Sequence, residues 1–343
     1  MSFLALVILA TPPVVFLAGL LEVRRGGPAT YVLGIFSVAI VLASLAEGFG
    51  AAVAARWPRT RALVAPLSLI ALTWVVLVAD VLTGARLQMN TVFGYSPIVA
   101  GRFAGYGNLA FALVAMTAVV VATGGWAVSR LLRGRADGRT RPGRAAVLAM
   151  VLFLAVTVVV DGAPAWGSDV GGVLATVPAF AVLVMVALDV RLDWRRALLI
   201  GAATVATISV FAAIDLARPE QDRTHLGRLV ARVLDSEEAG GGLGEVLLRK
   251  INANISILTS SIWTWTIPFA LGLLVYLSRR QSGFLRDLQD EVPGVRSMLA
   301  GGLLVAVLGF ALNDSGVAVP AMMFAVLLPY LTYVLLRWDP VRR

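Results

Sequence analysis

The chain has 343 residues, of which 59% are apolar and 14% charged, against about 25% charged in an ordinary soluble domain, and its mean hydropathy of +0.87 excludes a soluble globular fold. Its 29 Arg and Lys against 20 Asp and Glu leave a net charge of +9, which basic loops on one side of a membrane explain without nucleic acid as a partner. Cysteine is absent, which excludes disulfides, a thiolate nucleophile and a Cys-ligated metal.

The apolar residues fall into blocks of about 17–23, the length at which a helix crosses roughly 30 Å of hydrocarbon. The expected architecture is all-α, a single polytopic transmembrane bundle of ten spans over 1–343. The first span, 3–22, reads as a retained helix and not a signal peptide, because no basic segment precedes it and no small-residue cleavage site follows. Pro12 and Pro13 remove two helix donors, so a kinked or partly re-entrant helix is expected there. The second span, 31–53, carries Glu47, expected to snorkel to the inner interface, with pairing inside the bundle as the alternative. The third, 62–82, closes on Asp80. A Gly- and aromatic-rich stretch, 83–107, then carries Arg86 and Arg102, and the fourth span, 108–129, opens on Asn108.

The fifth and sixth spans, 145–160 and 173–190, flank a glycine-rich acidic loop with Asp161 and Asp169, and the seventh, 197–214, is followed by Asp215. Residues 215–256 form the longest break in hydrophobicity. Within it Thr224 is placed to cap a helix in which Leu226, Leu229, Val230, Val233 and Leu234 follow the i, i+3, i+4, i+7, i+8 pattern. This predicts an amphipathic helix along the interface or over the bundle mouth, ended by Gly240-Gly241-Gly242. Asn252 and Asn254 precede the eighth span, 257–277, and Asn313-Asp314 make a tight turn between the last two, 297–312 and 317–336. Trp57, Trp126, Trp166, Trp194, Trp263, Trp265 and Trp338 fall near span ends, as an aromatic belt requires.

Basic residues divide unequally between alternate loops, 19 on one set and 10 on the other. Six of the 10 sit in the long 215–256 segment, where the positive-inside rule loses force. The richer set is therefore expected in the cytoplasm with both termini, the protein being a plasma-membrane chain. Arg24 and Arg25 dissent.

On that topology Asp80, Arg86, Arg102, Asn108, Asp161, Asp169, Asp215, His225, Arg228, Asn252, Asn313 and Asp314 share one depth at the outer ends of the helices. Ionisable groups near hydrocarbon are costly unless they pair, bind a ligand or reach water, so a ring of them marks a candidate site. Asp and Asn at helix ends are also ordinary caps. Arg102 lies between Gly101 and Gly105, where a guanidinium fork meets phosphate or carboxylate well, and where the glycines serve helix packing equally. An imidazole is a common general base and metal ligand, yet no second ligand stands at metal-binding spacing around the lone His225. Asp161 with Asp169, or Asp80 with Asp215, offers a carboxylate pair for acid–base work or for a divalent cation, a cofactor no motif supports.

The runs Asp80 to Gln88, Gly94 to Phe103 with Gly107-Asn108, Trp166 to Gly172, Thr224 to Arg228 and Asn313 to Pro320 resemble a pattern in uncharacterised multi-pass actinobacterial membrane proteins. The resemblance covers about 75–335. Longer members of that group carry an extracytoplasmic domain similar to alkaline phosphatases, a region this sequence does not contain. The resemblance implies a cell-envelope membrane module that works with an outward-facing hydrolase or transferase.

Three functions remain open on these residues. The first is a binding module whose outward polar pocket holds an anionic lipid-linked or phosphate-containing envelope intermediate. The second is a transporter or lipid flippase. The third is a membrane-embedded transferase or hydrolase using the outer carboxylates and His225.

Overall fold

A computed structural model describes residues 1–20, 27–89, 91–95, 105–133, 141–235, 292–313 and 315–338. Its helices are α1 (Ser2–Leu17), α2 (Gly27–Arg56), α3 (Val64–Leu82), α4 (Asn108–Leu132), α5 (Arg144–Gly162), α6 (Val170–Ala187), α7 (Trp194–Leu216), α8 (His225–Asp235), α9 (Val295–Leu312) and α10 (Ala318–Arg337). Among the described residues, nine of these helices, all but α8, are long and apolar enough to cross a membrane. The chain is a multi-pass, all-α membrane protein. The expected span over 257–277 lies outside the described residues, as do Arg102, Asn252 and Asp314.

The bundle is built around α4. From Ala110 to Val120 every residue of this helix is buried, the pattern of a helix enclosed on all sides. Helices α3, α5, α9 and α10 surround it. In lipid, association rests on close van der Waals packing more than on the hydrophobic effect, so small residues collect where helices touch. The α6–α9 contact follows this rule: a Cβ on Gly301 would stand 2.8 Å from Leu183 Cβ. Helices α2 and α7 sit at the periphery. Phe36, Val41, Leu45 and Phe49 on α2, with Leu198, Leu199, Val205 and Val210 on α7, are exposed, which lipid accommodates.

The first helix departs from expectation. It continues through Pro12 and Pro13, both buried, and crosses the whole bundle. Ser2 Oγ accepts from Arg337 Nε at 3.2 Å at one end, and a Cβ on Gly19 would meet Leu87 at 3.6 Å at the other. Contacts with α2, α3 and α10 along its length hold it, and the Thr11 hydroxyl donates to the Val7 carbonyl at 2.9 Å in the turn before the prolines. Neighbouring helices thus compensate for the two missing donors, and α1 is not re-entrant.

The helices alternate in direction, so the bundle has two distinct ends. At one end lie Ser2, Arg56, Arg141, Arg196, Arg296 and Arg337, with the start of α1 and the end of α10 side by side through the Ser2–Arg337 contact. Here Arg141 Nη2 donates to Asp189 at 3.0 Å and, with Arg296 and Arg191 adding smaller contributions, holds that exposed carboxyl below its usual range. Glu47 pairs within the bundle and does not simply reach for the interface. It accepts from Arg337 Nη2 and from the Tyr333 hydroxyl, both at 2.6 Å, tying α2 to α10. The opposite end gathers Asp80, Asn108, Asp161, Asp169, Asp215 and Asn313.

Candidate functional site

The polar end is assembled from four connected pieces. The first follows α3. Its last turn gives way to Gly84 and Ala85, both at positive φ (104° and 57°), and this reversal brings the next residues back over the helix end. Asp80 Oδ1 accepts from Leu87 N at 2.7 Å and Oδ2 from Gln88 Nε2 at 3.0 Å. Gln88 is fully buried, and its Oε1 accepts from Gly107 N at 3.1 Å. One carboxylate and one amide therefore fasten the α3 end to the α4 start.

The second piece joins α4 to the loop after α5. Tyr106 N donates to Gly167 O at 3.0 Å, and the Tyr106 hydroxyl donates to Leu77 O at 3.2 Å. Burial, then the negative charge of Asp161 and of Asp80, push the Tyr106 hydroxyl well above its ordinary range, so it stays protonated and a donor. The loop is closed by Gly167 N to Val160 O at 2.9 Å and Asp169 N to Asp161 O at 3.0 Å. Asp169 then caps α6, its Oδ1 accepting from Gly172 N at 3.0 Å. Asp161 is buried with its carboxylate directed at the Gly172 backbone, where any Cβ would collide with Oδ2.

The third piece is the α9–α10 turn. Asn108 Nδ2 donates to Ser315 Oγ at 2.5 Å, and Ser315 N to Asn313 Oδ1 at 3.4 Å. A Cβ on Gly171 would stand 3.2 Å from Leu312 O, so the α6 start and α9 end touch here. The fourth piece is the clamp on α8. Asp215, fully buried, accepts from Thr224 Oγ1 at 2.6 Å, Gly227 N at 2.8 Å, Thr224 N at 3.0 Å and Arg218 Nη1 at 3.4 Å. The amphipathic helix predicted after Thr224 is thus present as α8, with its first turn capped by a carboxylate from the preceding span. Arg218 Nη1 also donates to Pro164 O at 3.0 Å, linking this piece to the α5–α6 loop.

Of the residues singled out from sequence, Asp80, Asn108, Asp161, Asp169 and Asn313 meet in this layer. Asp80 and Asp215 do not form a pair, since the partners named above engage each within its own segment. Arg86, His225 and Arg228 are exposed on the rim. The His225 side chain makes no hydrogen bond or ion pair among the described residues. No group of three or more Asp, Glu or His side chains among the described residues is arranged to hold a metal ion. Sequence reasoning missed Gln88, Tyr106, Ser315 and Arg218. Gln88 and Ser315 lie inside the runs that carry the resemblance and Tyr106 in the Gly- and aromatic-rich stretch, none at a spacing that marks a role, while Arg218 counts there only as a basic loop residue. No family model matches the chain, and no curated protein or solved structure matches it.

Proposed function

We propose that the chain is a cell-envelope membrane module whose polar end faces outward and binds an anionic, phosphate-bearing lipid-linked ligand for an extracytoplasmic hydrolase or transferase. The observation that supports this most is the convergence of five helix ends into one hydrogen-bonded layer through Gln88, Tyr106, Asp169 and Ser315. A layer fixed at so many points is a preorganised surface. Arg86 stands exposed at the edge of the Asp80 turn, and Arg228 on the first turn of α8, on the surface this layer supports. Exposed guanidiniums at headgroup depth attract anionic lipid groups by about 1 kcal/mol each. On this reading the arginine-rich end and both termini lie in the cytoplasm of a plasma membrane, in keeping with the positive-inside rule.

The interior of the spans argues for surface binding over passage. Thr73, Thr117, Thr123, Thr157, Thr176 and Thr204 are buried polar groups within the described spans, and each donates to a carbonyl of its own helix. Among the described spans, Glu47 is the only charged residue more than two positions from a helix end, and it pairs with Arg337. A transport path across the membrane needs polar groups at mid-depth.

Binding of a long-chain polyprenyl phosphate, with the uncharged polyprenol as control, tests the proposal. The wild type is expected to prefer the phosphate, and Arg86→Ala with Arg228→Ala to lose that preference at normal protein levels. Equal binding of phosphate and alcohol by the wild type would overturn it.

A further inference from the structure

The polar end has an edge outside the four pieces' shared centre, where α7 leaves its lipid-facing course. Val210 and Ile214 lie on one stripe of α7 and are 56% and 51% exposed. Arg218 lies two residues beyond the end of α7 at Leu216, so a cationic side chain follows directly on the helix that carries this acyl-chain surface. Arg223 joins it through the short turn at Glu220–Asp222, its Nε donating to the Arg218 carbonyl at 3.2 Å.

Both guanidiniums are held in place at one nitrogen only. Arg218 uses Nη1, on Pro164 O and Asp215 Oδ1, and Arg223 uses Nε. Among the described residues the remaining nitrogens of both make no hydrogen bond. Glu220 and Asp222 are exposed in the same turn, and among the described residues neither forms an ion pair with either arginine. Guanidiniums each fixed at one nitrogen, Arg218 by a carbonyl and the Asp215 carboxylate and Arg223 by a carbonyl, match the oxygens of a phosphate through their remaining nitrogens. Among the described residues, the apolar surface that leads to them along the chain is the exposed face of α7. A ligand that fits both features has an anionic phosphate head and a hydrocarbon tail.

We propose that Arg218 and Arg223 bind the phosphate of an anionic membrane lipid whose acyl chain lies along Val210 and Ile214. The proposal deepens the reading above and rests on its placing of the polar end at headgroup depth. It does not use Arg86 or the central layer.

Native mass spectrometry of the detergent-solubilised chain, titrated with phosphatidylglycerol, phosphatidylcholine or inorganic phosphate, reads the site. The wild type is expected to bind phosphatidylglycerol in preference to phosphatidylcholine. Arg223→Ala, which leaves the Asp215 clamp and the Pro164 contact intact, should weaken that binding about fivefold, and the double variant with Arg218→Ala about 25-fold. Arg223→Lys should keep most of it. Unchanged phosphatidylglycerol binding in Arg223→Ala and in the double variant would sink the proposal. So would inorganic phosphate displacing the lipid at equal concentration, since that outcome assigns the site to free phosphate. If Arg86→Ala with Arg228→Ala leaves polyprenyl phosphate binding unchanged while Arg223→Ala weakens phosphatidylglycerol binding, the central-layer reading fails and the Arg218–Arg223 site stands.

Discussion

Asp215 holds α8 to the bundle through four donors, and its loss should free that helix without unfolding the rest. Asp215→Ala strips the acceptor from Thr224 N, Thr224 Oγ1, Gly227 N and Arg218 Nη1. A hydrogen bond to a charged group contributes about 1.5–3 kcal/mol, but Thr224 and Arg218 are partly exposed and recover water when released. The net local cost is therefore about 2–3 kcal/mol, which raises the open population of α8 by about 30- to 150-fold. Gly227→Ala approaches the same contact from the other side, because its Cβ would stand 2.5 Å from Asp215 Oδ2 and 2.9 Å from Cγ. Hydrogen exchange of amides 226–235 in detergent micelles measures the opening. Both variants should exchange faster there and match the wild type within α4. Gly201→Ala is the control, since no atom lies within 4 Å of its added Cβ. Unchanged exchange over 226–235 in both Asp215→Ala and Gly227→Ala would refute the clamp.

Two further predictions concern the opposite end and the centre of the polar layer. Glu47→Ala leaves Arg337 and the Tyr333 hydroxyl without their shared acceptor; the Glu47–Arg337 pair is 30% and 27% exposed, so a loss of about 1–3 kcal/mol is expected, read as a lower thermal midpoint in detergent. Glu47→Gln, which keeps an acceptor, should lose less, and a wild-type midpoint for Glu47→Ala would contradict the pairing. The Tyr106 hydroxyl, raised by burial and by Asp161 and Asp80, gives stability that is complete below the free-tyrosine value of about 10 and is lost as pH rises from there toward the folded value. In an ultraviolet tyrosinate titration, the difference between wild type and Tyr106→Phe should show no ionisation near pH 10 while the protein is folded. An ordinary tyrosine titration in that difference would remove Tyr106 from the buried acidic layer.

Much of the bundle was legible from sequence because lipid imposes a length on every span. The expected boundaries 108–129 and 297–312 lie close to Asn108–Leu132 and Val295–Leu312, and the amphipathic spacing after Thr224 correctly announced α8. The double proline misled because local chemistry argues for a break, whereas contacts from α2, α3 and α10 decide the outcome. Glu47 misled for the same reason: its partners are 286 and 290 positions away, beyond the reach of any local pattern. At the polar end the shared depth of the carboxylates was readable, but their division of labour was not. Asp80, Asp169 and Asp215 differ in which backbone amides the folded loops bring to them. Gln88 and Tyr106, the connectors of the layer, have no spacing that sets them apart.

The most direct test of the account is the sidedness of the two ends. The chain contains no cysteine, so single substitutions report without background. Thr83→Cys, exposed beside Asp80, and Arg144→Cys, exposed at the start of α5, can be treated with a membrane-impermeant maleimide in intact cells and again after permeabilisation. Labelling of Thr83→Cys in intact cells, with Arg144→Cys reacting only after permeabilisation, is the expected result. The reverse pattern would turn the polar layer toward the cytoplasm and remove the ground for an outward-facing binding surface.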